Sequence, residues 1–307
     1  MGRHVLITGA SSGIGRAAAL AVAEKGAVVF LLARRETELD EVVREIRDAG
    51  GEAFGYPCDI TDGESVDRTV ESVLSEHDHI DMLVNNAGRS IRRSLHRSVD
   101  RVHDFERTMA VNYVGAVRLV LALTPQMRER GFGHIVNVSS SAVQVAPPRY
   151  AAYAASKAAL DKFTEVAAVE MLSDGVTFTT IHMPLVETPM IVPSKDYETY
   201  PSRSVAWAAA VVVRALVERP IRIDTPAGTA GEFGSLFTPG LTARALHKMY
   251  RGSPDSAAAK GEAETARTTS QVTPAKPRPT RRSRSKAVLV LTRAARRAAR
   301  LIPGVYW

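Results

Sequence analysis

The chain has 307 residues, 45% hydrophobic and 24% charged, enough to bury a sizeable core in one large or two small domains. A single cysteine, Cys58, excludes an internal disulfide framework, and no uninterrupted apolar run approaches the roughly 18 residues of a spanning helix. The net charge of +7 belongs to the chain end: ten Lys/Arg and no Asp/Glu lie between Pro274 and Trp307, and 30 basic against 33 acidic residues elsewhere leave −3. Overall charge therefore does not mark a nucleic-acid-binding domain. No charged-then-apolar leader precedes the first predicted strand, so the expected location is the cytoplasm.

In chain order, "HVLITG" reads as a strand, followed by the helical "GRAAALAVAEKG". The turn between them, "TGASSGIG", carries Thr8, Gly9, Ser11, Ser12, Gly13, Ile14 and Gly15. Glycines there permit a tight turn and close backbone approach, and free amides at a helix start favour a pyrophosphate. The second strand, "AVVFLLAR", ends at Arg34 and Arg35, with no carboxylate before Glu36. An acid at this place would grip an adenosine ribose, whereas arginine suits a 2′-phosphate, so the expected cofactor is NADP(H) over NAD(H).

The helical "ETELDEVVREIRDAG" leads to the strand "EAFGYPCD", then "GESVDRTVESVLSEH" to "DMLVNNAG". The strands "GHIVNVSS" and "VTFTTIHM" flank the long helix "YAAYAASKAALDKFTEVAAVEML". This alternation predicts an α/β fold, a doubly wound parallel sheet with helices on both faces and the ligand at the carboxyl ends of the strands. The residue pattern calls for no metal.

Six ordered stretches, "TGASSGIG", "CDITD", "NNAG", "VNYVGA", "IVNVSSSA" and "YAASK", together resemble the signatures of the short-chain dehydrogenase/reductase family over about residues 3 to 190. The resemblance implies a Rossmann domain over residues 1–225. It also selects between the two tyrosines of "YAAYAASK": the active one stands four residues before the lysine, which makes Tyr153 with Lys157 the catalytic pair and leaves Tyr150 to packing. One helical turn apart, the Lys157 cation is expected to favour the Tyr153 phenolate. By the same resemblance Ser140 holds the substrate carbonyl, with Ser139 and Ser141 as nearby alternatives, and Asn112 anchors a proton-relay water. Asp59 and Ile60 meet the adenine; Asn86, Ala87 and Gly88 line the cofactor cleft; Lys157 holds the nicotinamide ribose; and Pro184, Val186 and Thr188 complete the cofactor site after the sixth strand.

"NNAGRSIRRS", "VTFTTIHMPLVETPMI", "YRGSPDSAAAKG" and "PGVYW" are similar to the reductase domain of bacterial fatty acyl-CoA reductases. This implies a lipid-like carbonyl substrate, a fatty aldehyde or acyl thioester. Leu185 follows Pro184 where the wider family has glycine, and Glu187 stands where the narrower group has a basic residue. The proline-broken "LVETPMIVPSKDYETY" reads as a lid, with Met190, Ile191 and Val192 as candidate channel residues and Arg89, Arg92 and Arg93 as candidates for a CoA phosphate. A ketone reductase and a non-catalytic cofactor-binding scaffold are the rival readings. The family's habits imply a homodimer or homotetramer.

Beyond the core, residues 226–252 read as a helical extension, 253–280 as a Ser/Pro-rich linker, and 281–307 as a basic amphipathic helix ending in aromatics. Arg293, Arg296, Arg297 and Arg300 share one face of that helix, which suits an anionic membrane surface and a peripheral association.

Overall fold

The computed structural model describes residues 2–191, 201–253, 255, 257–260 and 305–306. Strands β1 (His4–Thr8) and β2 (Val28–Ala33) pair inside the sheet, and Leu6, Ile7, Phe30 and Leu31 are fully buried, as residues of a parallel sheet covered on both faces must be. Helix α1 (Gly13–Ala23) joins them. In α2 (Glu36–Asp48), Leu39, Val42, Val43 and Ile46 recur at helical spacing and form the buried face, with Glu36 and Glu38 in the first turn and Arg47 in the last. Strand β3 (Glu52–Pro57) follows, then α3 (Gly63–His77), whose N-cap Asp62 accepts the amide of Glu64 at 3.1 Å.

After β4 (Met82–Asn85) the chain forms α4 (Val102–Met109), a π-helical turn (Ala110–Val114) and α5 (Gly115–Glu129). This run is long and apolar enough in composition to cross a membrane. Leu119, Val120, Leu123 and Met127 are instead fully buried in the protein core. Strand β5 (Gly133–Ser140), α6 (Ser141–Val145), α7 (Ala151–Glu170), β6 (Val176–Met183), α8 (Val205–Glu218) and β7 (Arg222–Ile223) complete the wound sheet. Two further helices, α9 (Pro226–Phe237) and α10 (Pro239–Gly252), occupy the extension, and α11 (Ala257–Lys260) follows.

The sheet order is β3-β2-β1-β4-β5-β6-β7-β8, with β8 (Val305–Tyr306) paired to β7 and every pairing parallel. Helices α1, α2 and α8 seal one face, and α3, α5 and α7 the other. The strand order reverses between β1 and β4, which opens a crevice at their carboxyl ends.

The chain end departs from expectation in two ways. Asp255 is paired to Arg149 and Ala259 is buried, so the body holds residues that composition assigns to the linker. Val305 and Tyr306, expected at a membrane interface, extend the sheet at Arg222 and Ile223. The predicted tail helix falls almost wholly on residues outside the described set.

Candidate active site

The crevice is built from backbone laid against backbone. Gly9 has φ +66°, and a Cβ there would lie 2.9 Å from Ala87 Cα. A Cβ on Gly15 would lie 2.2 Å from the Gly9 carbonyl oxygen, so only glycine lets α1 start so close to β1. The Thr8 hydroxyl accepts the amides of Asn86 (3.0 Å) and Ala87 (2.9 Å), and Asn86 Nδ2 donates to the Thr8 carbonyl at 2.9 Å. These bonds lock the turns after β1 and β4 together and set Asn86, Ala87 and Gly88 beside the glycine loop.

Ser12 caps α1 in extended conformation without a side-chain hydrogen bond to the helix, and no acid occupies the first turn. The first-turn amides are thus left for an external acceptor, and the dipole favours an anion. Thr188 Cγ2 approaches to 3.4 Å of where a Gly13 Cβ would stand, so the segment after β6 brings Thr188 over the same turn. This donor set fits a dinucleotide pyrophosphate. Arg35 reaches the rim, donating to Ser11 Oγ at 3.5 Å while pairing with Glu38 at 2.6 Å. Burial works against the Asp59 carboxylate, but the Thr61 amide and hydroxyl (3.0 and 2.8 Å) and the charge of Arg34 hold it below the usual range. Arg34 and Arg35 are both exposed, and the neighbouring Ile60 is buried against Gly115.

At the carboxyl end of β5, Ser140 accepts the Ala142 amide at 3.1 Å and hydrogen-bonds the Tyr153 phenol in the first turn of α7. Lys157 stands one turn further on, buried, and its ammonium donates to the Val138 carbonyl at 2.7 Å. Asn112, held in the π-helical turn, donates to Ser156 Oγ and the Arg89 carbonyl, both at 2.9 Å, and accepts the Arg89 amide at 2.7 Å. A Cβ on Gly88 would meet Asn112 Oδ1 at 3.4 Å and Lys157 Nζ at 3.7 Å, so the catalytic candidates and the cofactor cleft adjoin. Of the neighbouring serines, Ser139 Oγ is buried without a hydrogen bond among the described residues, and Ser141 opens α6. Tyr150 is the N-cap of α7, its ring 6.4 Å edge-on from that of Tyr153.

The expected effect of Lys157 on the phenol is not what this geometry gives. Burial raises the Tyr153 pKa, the Ser140 hydrogen bond opposes it, and the negative charge of Asp161 raises it further. Burial also pulls the Lys157 ammonium down to about 8, with Asp161 acting in the opposite sense.

A family model described as short chain dehydrogenase matches residues 3–198. The chain belongs to the short-chain dehydrogenase/reductase family. Members bind a nicotinamide cofactor, and this chain is an oxidoreductase of that family. A fatty acyl-CoA reductase of Acinetobacter baylyi is 46% identical over 263 residues, 86% of this chain and 89% of that protein. Another of the same description, from Mycobacterium tuberculosis, is 48% identical over 223 residues, 72% and 76% of the two chains. A short-chain dehydrogenase structure from Streptomyces avermitilis superposes with a TM-score of 0.69 at 30% identity, covering 83% of this chain and all of that one. Two further solved structures hold different cofactors. A 3-ketoacyl-(acyl-carrier-protein) reductase of Brucella melitensis, 28% identical with TM-score 0.64 and coverage of 70% and 90%, is complexed with NADH. A metagenomic oxidoreductase, 32% identical with TM-score 0.60 and coverage of 69% and 90%, is complexed with NADP.

In this short-chain dehydrogenase/reductase the segment after β6 begins with Pro184 and Leu185, half-buried, and Val186, buried and bridged to Arg203. Glu187 accepts the Ser202 hydroxyl at 2.6 Å, and its amide donates to the Arg203 carbonyl at 3.0 Å. A carboxylate where a basic residue was expected thus pins the two ends of the loop. Met190 is 46% exposed, and Val192 to Tyr200 lie outside the described residues. Arg93, a candidate for a CoA phosphate, is committed to the buried Asp104 at 3.3 Å and to the Ala259 carbonyl at 3.2 Å.

Sequence reasoning missed two groups near the site. Arg149, with φ +72°, immediately precedes Tyr150, pairs with Asp255 at 3.0 Å and lies 4.3 Å over the Tyr250 ring. Beneath α7, Asp161 binds His182 of β6, which in turn binds Asp224. Asp161 was legible in principle: it follows Lys157 by four residues, as Lys157 follows Tyr153, on one helical face.

Proposed function

We propose that the protein is an NADPH-dependent reductase that converts a lipid-like carbonyl, a long-chain fatty aldehyde or acyl thioester, to the next lower oxidation level. The observation that carries the reading is the meeting of Ser140, Tyr153, Lys157 and Asn112 at the carboxyl end of β5, next to the glycine turn that opens α1. The lipid assignment draws its support from the similarity to fatty acyl-CoA reductases over most of the chain.

The free amides in the first turn of α1 would hold the pyrophosphate of a nicotinamide cofactor, which would supply the hydride. The protein holds and protonates the acceptor. The Ser140 hydroxyl orients the substrate carbonyl oxygen, and the Tyr153 phenol, with its pKa raised by burial, remains protonated at neutral pH and gives its proton to that oxygen as negative charge develops. Lys157 would secure the ribose and supplies a cation beside the proton donor, and Asn112 fixes α7 against the loop after β4 through Ser156 and Arg89. Arg34 and Arg35 stand at the ribose end as donors for a 2′-phosphate.

The test is oxidation of NADPH, followed by its absorbance, with a panel of fatty aldehydes, acyl-CoAs and small ketones, and Tyr153→Phe alongside. Turnover of long-chain aldehydes that the variant lacks supports both chemistry and substrate. Ketone turnover alone keeps the mechanism and rejects the lipid reading, and no turnover despite NADPH binding rejects catalysis.

A further inference from the structure

The inward face of α7 carries a third ionisable residue in step with the first two: Tyr153, Lys157 and Asp161 follow one another at intervals of four. Asp161 is buried, and its partner is another buried ionisable group. Asp161 Oδ2 lies 2.7 Å from Nε2 of His182 on β6, and Nδ1 of the same ring lies 2.5 Å from Oδ1 of Asp224. Only an imidazolium can donate from both ring nitrogens to two carboxylates. Asp224 Oδ2 is held in turn by Arg222 Nε at 2.8 Å, and Arg222 closes on Glu232 of α9. From Lys157 outward the signs alternate, and α7, β6, β7 and α9 are joined through one row that is buried at Asp161, His182 and Asp224 and partly exposed at Arg222 and Glu232.

Two features set this row apart from a simple structural clasp. The second carboxylate oxygen, Asp161 Oδ1, is buried and takes no hydrogen bond among the described residues, so half of a costly buried anion is left to act through its field. Its charge acts on both Tyr153 and Lys157. The hydrogen-bond partner of the Lys157 ammonium is the neutral Val138 carbonyl of β5, and the neutral Asn112 side chain borders the same point beside Gly88. His182, Asp224, Arg222 and Glu232 act from behind Asp161. Burial penalises the ammonium, and the Asp161 carboxylate one turn away on the same face acts against that penalty.

We propose that Asp161, clamped by the His182 imidazolium and through it by Asp224, is the positioning residue that serves as the counter-ion of Lys157 and keeps it an ammonium in the closed site. Its link to turnover rests on the role given to Lys157 above, whereas the ionisation itself can be read without any substrate. Trace acetylation of the full-length protein with acetic anhydride across pH, resolved by peptide mass spectrometry, follows the Lys157 amine directly. In Asp161→Asn the midpoint should fall by about one pH unit or more, and Asp161→Glu should bring it back. Asp224→Asn, which removes the outer anion and keeps a hydrogen-bond acceptor for His182, should lower it by a smaller amount.

The direction is decisive. A variant that merely loosened the packing would let water reach Lys157 and raise its midpoint toward the ordinary lysine value near 10.4, the opposite of a lost counter-ion. An unchanged or raised midpoint in Asp161→Asn overturns the proposal, and should that variant fail to fold, the same outcome in Asp224→Asn does so. The alkaline limb of NADPH-dependent turnover should move with the acetylation midpoint. A midpoint that moves while the limb stays upholds the counter-ion and removes Lys157 from the proposed reductase chemistry.

Discussion

Arg35 donates to Ser11 across the mouth of the glycine turn at 3.5 Å, joining the end of β2 to the start of α1 where the adenosine end of a dinucleotide would lie. The contact is long and exposed, so it holds the guanidinium in place without consuming it. Replacing Arg34 and Arg35 together by alanine should raise the KM for NADPH by roughly tenfold to a hundredfold, the loss of about 1.5 to 3 kcal/mol of charge-assisted hydrogen bonding, and leave the KM for NADH within a few-fold. Steady-state kinetics with both cofactors checks this, and equal losses for the two would remove the 2′-phosphate assignment.

The Ser140 and Tyr153 hydroxyls share one hydrogen bond, yet their losses should differ. Tyr153→Phe deletes the proton donor and should reduce turnover below detection with NADPH affinity within about threefold. Ser140→Ala keeps the acid but loses the group that orients the carbonyl, and kcat should fall roughly a hundredfold. Cofactor titration by fluorescence, run beside the kinetics, separates lost chemistry from lost binding.

Two buried histidines bound the pH of greatest stability from opposite sides. Burial pulls His134 down to about 4, so it is neutral in the fold, and stability present above 6.5 is lost as pH falls toward 4. Burial also opposes a charged His182, but its hydrogen bonds to Asp161 and Asp224 and their charges win and raise it to about 9. Its contribution is complete below 6.5 and is lost as pH rises through 9. Between pH 6.5 and 8 the loss should be roughly 1 to 2 kcal/mol, before deprotonation of Lys157 at about 8 begins to act in the opposite sense. Thermal unfolding should therefore peak near pH 6.5, with His134→Gln flattening the acid limb and His182→Gln the alkaline one. A peak unmoved by either variant would refute the assignment.

Asp255 gathers Arg149 at 3.0 Å, the Ser94 amide and hydroxyl at 3.3 and 3.2 Å, and Arg97 at 3.5 Å, and its carboxyl is held below the usual range by these partners against the effect of burial. Asp255→Ala leaves the buried Arg149 guanidinium without that partner, at a cost of about 3 kcal/mol. Limited proteolysis should then cut faster after Gly252, and the KM for long aldehydes should rise more than that for short ones. Unchanged proteolysis and unchanged chain-length preference would show that the contact does not brace the substrate side.

Much of the fold is legible because β-branched runs and amphipathic helices alternate in the first half of the chain. Val28 to Ala33 and Glu36 to Asp48 lie where their periodicities indicate. The run from Val102 to Glu129 is harder to read, because a π-helical turn at Asn112 shifts the register of the apolar positions midway. Strand β7 is two residues long, too short to leave an alternation within "RPIRIDTPAG". Among site residues, the glycines and the Tyr153 and Lys157 pair stand out by spacing, whereas Asp161, His182 and Asp224 come together across α7, β6 and the turn after β7, and no local pattern announces such a meeting.

The extension after β7 gives the chain a divided inheritance. The family model ends at residue 198, and every residue assigned a part in the hydride chemistry lies before that point. What leans on the far side of the site lies after it: α9 packs on α6 just past Ser140, with Gly231 against Val145, and Asp255 grips Arg149 just ahead of Tyr150. The part of the chain that follows the matched residues thus abuts the catalyst from two sides, at α6 and Arg149, and reaches beneath it through Asp224 and His182.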